Sequence, residues 1–411
     1  DSKIKLGGLN VQWNQLLSDS LSWGVTLAET HTLIDSRNLY PWNFFGFNEV
    51  YPSRMWDDVK STTLSPSITA KFNTAMTKHT VVAGLDFDRT KDDGFIIADL
   101  ASFTIPDYIN PAYPAWVEPA STGPTQTNTY RTDALYVQDQ VSLGKLGVLA
   151  GLRYARVGVD DINTDPFFLH NTKTTNSKTT PRVGATYEIS TTISAFAGYG
   201  EGFKVPVGSV YAAPPKPEEA QQTEVGLRLK DYKGLSATIA CFDLTRRNVT
   251  GAGPGGLAVQ VGKQNSHGID IDMNWKASRD LTWIASVSDQ TATIVENRNN
   301  TNVGKSLVAV PDTTVRLATR YDFHQGELSG IGLGLGVKYQ SKLPGDSSNS
   351  FYTPDTTLLD AQASYTLKRV RFDLSVNNLA DKKYYAPASG NAALVYPALR
   401  RTWKLNANFN F

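Results

Sequence analysis

Along the last stretch of the chain, residues 401–411, apolar and polar positions alternate without interruption. Trp403, Leu405, Ala407, Phe409 and Phe411 fall on one side, and Thr402, Lys404, Asn406, Asn408 and Asn410 on the other. A period of two marks a β-strand with one apolar and one wet face. The same alternation runs through the whole chain. It predicts strands over 6–15, 21–34, 64–72, 79–89, 131–143, 146–157, 181–189, 192–203, 223–230, 235–246, 259–277, 281–295, 313–323, 331–340, 356–367, 370–379 and 401–411, about 17 in all. Helical periodicity is not sustained anywhere.

The connections alternate between short and long. Tight turns such as Gly144-Lys145 and Lys368-Arg369 are followed by long segments over 35–63, 90–130, 158–180, 204–222, 247–258, 296–312, 341–355 and 380–400. A soluble sandwich has no reason to gather every long loop at one end. An outer-membrane barrel does, because its periplasmic turns are short and its external loops long. The expected fold is therefore all-β: a transmembrane antiparallel β-barrel with short periplasmic turns and long extracellular loops, in the bacterial outer membrane. The first and last strands run the same way, whereas such barrels have an even number of antiparallel strands. An odd number of strands is thus expected before Asp1, since open edges go unsatisfied in lipid.

The polar faces carry charges and glycines. Arg316 and Arg320 alternate with Leu317 and Tyr321, and Arg371 and Asp373 alternate with Phe372 and Leu374. Charges on one face suit a wet lumen, so Arg316, Arg320, Arg371 and Asp373 are expected to face the interior.

Composition narrows the picture further. A net charge of +1 gives no argument for nucleic acid or an anionic partner. The single cysteine, Cys241, excludes an intrachain disulfide and a cysteine-based metal site. Mean hydropathy is −0.29 and no apolar run reaches the length of a membrane helix. Both facts are compatible with a barrel, in which every second residue is polar. The five histidines are scattered, and Gly251–Gly256 lacks the strand–helix setting of a phosphate loop, so neither an enzyme nor a metal site is expected.

Several stretches together carry a family resemblance. They are His79-Thr-Val-Val-Ala-Gly-Leu-Asp-Phe-Asp-Arg89, Leu135-Tyr-Val-Gln-Asp-Gln140, Gly147–Tyr154, Gly198-Tyr-Gly-Glu-Gly-Phe-Lys-Val-Pro206, Lys216-Pro-Glu-Glu with Glu224-Val-Gly-Leu-Arg228, and Leu374-Ser-Val-Asn-Asn-Leu-Ala-Asp-Lys-Lys-Tyr-Tyr385. In these, and over nearly its whole length, the chain resembles the TonB-dependent outer-membrane receptors, most closely the ferric-siderophore branch with its ferrichrome-type hydroxamate receptors. One departure is Asp381 directly after Ala380, where the family usually has Phe. The resemblance implies a barrel of about 22 strands around a globular plug. Residues 1–411 would then be a partial barrel domain, with the plug, its TonB box and the first strands outside this chain. It also implies uptake of ferric siderophore, energised by the TonB–ExbB–ExbD complex, by a monomer in outer-membrane lipid. No cofactor is implied, because a siderophore already coordinates its iron. The plug would supply counter-charges to Arg316, Arg320, Arg371 and Asp373. Other readings are an importer of cobalamin or oligosaccharide, a passive porin-like channel, and a soluble β-sandwich.

The long loops are rich in aromatics. Trp42, Phe44, Phe45, Phe47, Tyr113, Trp116, Tyr211 and Tyr396 are expected to form a siderophore-binding vestibule, where rigid rings give contact area at low entropic cost. Packing of loop on loop is the competing explanation. The early loops offer few cations beside these rings (Arg37, Arg54, Lys60 and Lys91), which favours a compact, nearly neutral hydroxamate complex over an anionic catecholate.

Overall fold

The computed structural model describes residues 2–41, 49–98, 103–104, 112, 115–119, 126–164, 169–206, 215–252, 258–297, 301–387 and 395–409. Seventeen long strands follow one another: β1 Ser2–Ser18, β2 Leu21–Pro41, β3 Glu49–Thr74, β4 Thr77–Ala98, β5 Gln126–Leu143, β6 Leu146–Asn163, β7 His170–Glu188, β8 Ile193–Lys204, β9 Glu218–Tyr232, β10 Leu235–Ala252, β11 Ala258–Lys276, β12 Leu281–Glu296, β13 Thr313–Asp322, β14 Ile331–Gln340, β15 Thr356–Leu367, β16 Val370–Asn377 and β17 Thr402–Phe409. Each pairs antiparallel with the next in sequence, in one sheet that also holds the two-residue strand Phe103–Thr104. Among the described residues β1 and β17 pair with no further strand on their outer edges. Every residue of β1 is exposed.

Register turns the alternation into two continuous faces. Ala83, Val137, Leu152 and Pro181 are cross-strand neighbours on β4 to β7. Ala185, Ala197, Val225, Cys241 and Ile269 continue the apolar face over β7 to β11. Leu333, Ala363, Leu374 and Leu405 complete it over β14 to β17. Leu152 is 54% exposed, Val225 56% and Leu405 70%, so this face has no protein cover. The opposite face is more crowded. Ala134, Ala155, Asn128, Asp161, Ser364 and Asp373 are buried there. Side chains crowd on the concave side of a curved sheet and splay on the convex side, so the polar face is the inner one.

All seventeen predicted strands are present, and most are longer than predicted. β3 has 26 residues and β4 has 22, where a tilted crossing of the bilayer needs about 9–11. The extra length lies at the long-loop end. Much of 35–63, 90–130 and 158–180, expected as loop, is therefore strand. The reason is visible in β7, whose outer part, His170 to Thr180, contains no apolar residue. Beyond the lipid both faces are wet, so the hydrophobic period disappears while the backbone ladder continues.

The short turns need little sequence. Gly144, first of two residues joining β5 and β6, has φ +54°, which glycine adopts without strain. Lys368 takes the same conformation between β15 and β16 and lacks that freedom.

Candidate ligand site at the outer end of the barrel

Three clusters of side chains gather at or below the long-loop end. The first lies on the outward face of β2 to β4, above the apolar band. Arg54 grips Asp35 with two hydrogen bonds of 2.9 and 3.1 Å and reaches Glu118 at 2.9 Å. It lies over the Phe95 ring at 5.8 Å, and Phe95 stacks on Trp56 at 5.6 Å. Arg37 lies 5.1 Å over Trp116. The Arg54 hydrogen bond holds the Asp35 carboxyl below its usual range. Segment 115–119 is thereby fastened to the strand extension by Trp116 and Glu118.

The second cluster is on the inner wall of β13 to β17. Arg320 bonds Asp322 and Ser364 at 2.6 Å and Gln362 at 3.3 Å. Arg371 pairs with Asp373 at 2.9 Å, and Asn408 donates to Asp373 at 3.1 Å. Gly332 faces this cluster, and a Cβ there would run into Arg320, Asp322 and Ser364. Arg316, exposed and directly opposite Lys338, has no ion-pair partner among the described residues. Lys338 itself pairs with Asp360 at 2.6 Å. Arg320, Arg371 and Asp373 thus find their partners within the wall, whereas Arg316 does not. A cavity of about 410 Å³ opens on the same inner face further round, against Leu149, Arg182, Gly184, Gly198, Gly200 and Glu224, where the β7–β8 ladder ends at Arg182 and Gly200.

The third cluster sits on the inner face of β3 to β6, beyond the last apolar row at Leu64 and Phe87. Asp92, Asn128 and Asp161 are cross-strand neighbours, and Asp57 lies one strand away on β3. Asn128 and Asp161 are 6% and 4% exposed. His170 approaches Asp161 at 3.1 Å. Burial raises the carboxyl of Asp57 above its usual range, and the Asp92 charge adds to this. Burial also raises Asp92. It pushes the Tyr130 phenol up to about 12, with Asp92 and Asp161 contributing.

The expected vestibule is only partly in view. Trp42, Phe44, Phe45, Phe47, Tyr113 and Tyr211 lie outside the described residues. Trp116 packs on Arg37, and Tyr396 is 51% exposed in a short ladder of Val395–Pro397 with Tyr385–Pro387. No described contact joins these two rings. The turn after β16 gives a reason for the sequence Asn-Asn-Leu-Ala-Asp. Asn378, 3% exposed with φ +52°, bonds the Lys382 backbone N–H and carbonyl, each at 2.8 Å. Asp381 clamps Arg400 and accepts the Arg401 backbone N–H at 3.0 Å. The Arg400 hydrogen bond is the larger cause that lowers its carboxyl to about 2.

A belt of apolar side chains on the convex face, a wet and charge-paired concave face, and long connections at one end define an outer-membrane β-barrel. The chain belongs to the family described as TonB dependent receptor-like, beta-barrel, which matches residues 1–379. It is 29% identical over 353 residues to the metal-pseudopaline receptor CntO of Pseudomonas aeruginosa, covering 82% of this chain and 49% of that protein. It is 28% identical over 382 residues to the ferrichrome outer membrane transporter/phage receptor of Escherichia coli K12, covering 86% and 49%. The chain thus spans about half the length of these relatives. Among solved structures, BauA, the ferric preacinetobactin receptor of Acinetobacter baumannii, matches with a TM-score of 0.85. It is 22% identical, and the match covers 100% of this chain and 63% of that one.

Proposed function

We propose that this chain is the barrel wall of an energy-coupled importer of ferric siderophores. The observation that carries the reading is the inner wall, which is wet but satisfies most of its own charges inside an apolar belt. Such a wall can enclose a polar plug and pass a polar ligand without exposing either to lipid. The relatives named for ferrichrome and for metal-pseudopaline support a metal chelate as the cargo. Trp42, Phe44, Phe45, Phe47, Tyr113, Tyr211 and Tyr396 remain the proposed vestibule, in front of a plug carried by preceding residues. Trp116 serves it indirectly, by fastening its loop to β2. Arg316 is the wall residue left to pair with the plug. TonB, driven with ExbB and ExbD, would rearrange that plug. The barrel acts as a monomer and a transporter, with no catalytic step.

Uptake of ⁵⁵Fe-labelled ferric hydroxamate tests this in cells that carry the full-length receptor and lack other siderophore receptors. Uptake is expected in cells with TonB and is expected to vanish in cells without it. Uptake that persists without TonB would make the protein a passive channel. Absence of uptake with every ferric chelate tried would remove the siderophore reading.

A further inference from the structure

One junction in the sheet is open at its outer end. The β7–β8 ladder runs from Glu188 opposite Ser194 to Arg182 opposite Gly200 and stops there. Both strands continue outward, β7 as far as His170 and β8 as far as Lys204. Above the break β7 stays paired to β6 on its other edge, up to His170 opposite Asn163. β8 likewise stays paired to β9, up to Lys204 opposite Glu218. Among the described residues, every other ladder between consecutive long strands reaches, at its outer end, to within a residue of where one of the two strands ends. The seam starts at the top of the apolar belt. Val183 and Tyr199, the cross-strand pair just below it, are 49% and 37% exposed on the lipid side, and the next outward residue of β8 is Glu201.

What crosses the seam is charge. Lys178 on β7 reaches Glu219 of β9 at 2.9 Å and Glu201 of β8 at 3.6 Å, and among the described residues these are the ion pairs that join its two sides. The receiving carboxylate is held in place, because Glu201 accepts from the Tyr199 hydroxyl at 2.6 Å and from the Gln221 amide at 3.4 Å. Ion pairs this close to water are individually weak, whereas a continued ladder would have held the two strands by a row of backbone hydrogen bonds. There is also room at the foot of the seam. Nothing stands within 4 Å of where a Cβ would lie on Gly200 or Gly202. The cavity of about 410 Å³ opens there, against Arg182, Gly198, Gly200 and Glu224. Above the lipid, water satisfies open strand edges, so parting the two strands leaves no backbone group unpaired.

We propose that the outer rim of the barrel parts along the β7–β8 seam to admit the ferric chelate, with Lys178 as the strap that holds it shut. This rests on the siderophore reading and adds how the cargo enters. A continuous ladder fixes the circumference of a barrel, so a rim widens only where pairing is interrupted. The β6–β7 hairpin moves as one body and the β8–β9 hairpin as the other, hinged at Arg182 and Gly200. Below the hinge the ladder from Arg182 to Glu188 stays zipped and keeps the wall sealed against lipid.

The test uses the full-length receptor in a Cys241→Ala background and a ferric trihydroxamate as probe. Stopped-flow quenching of intrinsic fluorescence gives the association rate. Thr180→Cys/Gly202→Cys places a disulfide two steps beyond the last pair of the ladder, in the same register. Once oxidised, it is expected to slow association about tenfold or more, with recovery on reduction. Lys178→Gln removes the strap and is expected to speed association about threefold to fivefold. Nitroxides at Thr175→Cys and Thr223→Cys, both exposed and on opposite sides of the seam, should show one narrow distance with Lys178 present and a broader, longer one with Lys178→Gln. Native association rates and an unchanged distance in Lys178→Gln would overturn the inference and leave the importer standing. So would association that is indifferent to the formed disulfide. A native receptor that binds and takes up no ferric chelate would remove the importer reading and the inference with it.

Discussion

Leu152→Arg is expected to destabilise the folded barrel by about 2–4 kcal/mol, the cost of a cation on the lipid face near the bilayer midplane. Leu152 is 54% exposed and sits between Val137 and Pro181 across the sheet, in the middle of the apolar belt. Arginine there cannot reach the inner face, and Tyr154 and Ala150 above and below it offer no counter-charge. Gln140→Arg is the control. Gln140 is exposed on the inner face of the neighbouring strand, opposite Thr80 and Leu149. A surface substitution there should stay within about 0.5 kcal/mol. Urea unfolding of the full-length receptor in lipid vesicles measures both. Equal costs would mean that the two faces meet the same solvent.

Gly226→Val is the second large expected effect, a loss of about 1–3 kcal/mol from overpacking. Gly226 on β9 is directly opposite Phe196 on β8, and the ring covers the glycine. A Cβ would lie 2.6 Å from the tip of that ring and closer still to the Ile239 backbone carbonyl. The ring could swing away, but the backbone could not. Arg228, stacked on the same ring at 5.6 Å, would lose its platform. Gly200→Val on β8 is the contrast, because nothing lies within 4 Å of a Cβ there. It should be nearly neutral in the same unfolding assay. Comparable losses at both positions would show that glycine is needed for strand conformation and not for room.

The membrane-crossing part of the fold is legible in the sequence because lipid imposes a rule on every second residue. The strands at 331–340 and 356–367 could be delimited to the residue. Above the lipid that rule lapses, and His170 to Thr180 reads as polar loop although it is strand. The aromatic loops are less transparent. Trp116 has the residue type of a binding wall, yet its described contact is the Arg37 guanidinium, and only coordinates show that a loop folds back on its own strand. The acidic cluster on β3 to β6 left a faint signal. Asp86, Asp88 and Asp92 recur at even spacing along β4 and therefore share a face. Asp57, Asn128 and Asp161 join them only through register, which sequence alignment of faces cannot supply across long connections. The Asn378 and Asp381 clamp was visible as a motif, but its reason is the closed turn that brings Arg400 back to Asp381.

The two-faced wall is tested most directly at the cysteine the chain already has. Cys241 is exposed on the apolar face between Val225 and Ile269, and the next residue, Phe242, points to the inner face. A nitroxide attached at position 241 of the full-length receptor in lipid vesicles should collide freely with dissolved oxygen and hardly at all with a water-soluble nickel chelate. The same label on Phe242→Cys, in a Cys241→Ala background, should show neither lipid-phase oxygen contact nor depth dependence. Lipid-like accessibility at 242, or water-like accessibility at 241, would contradict the account.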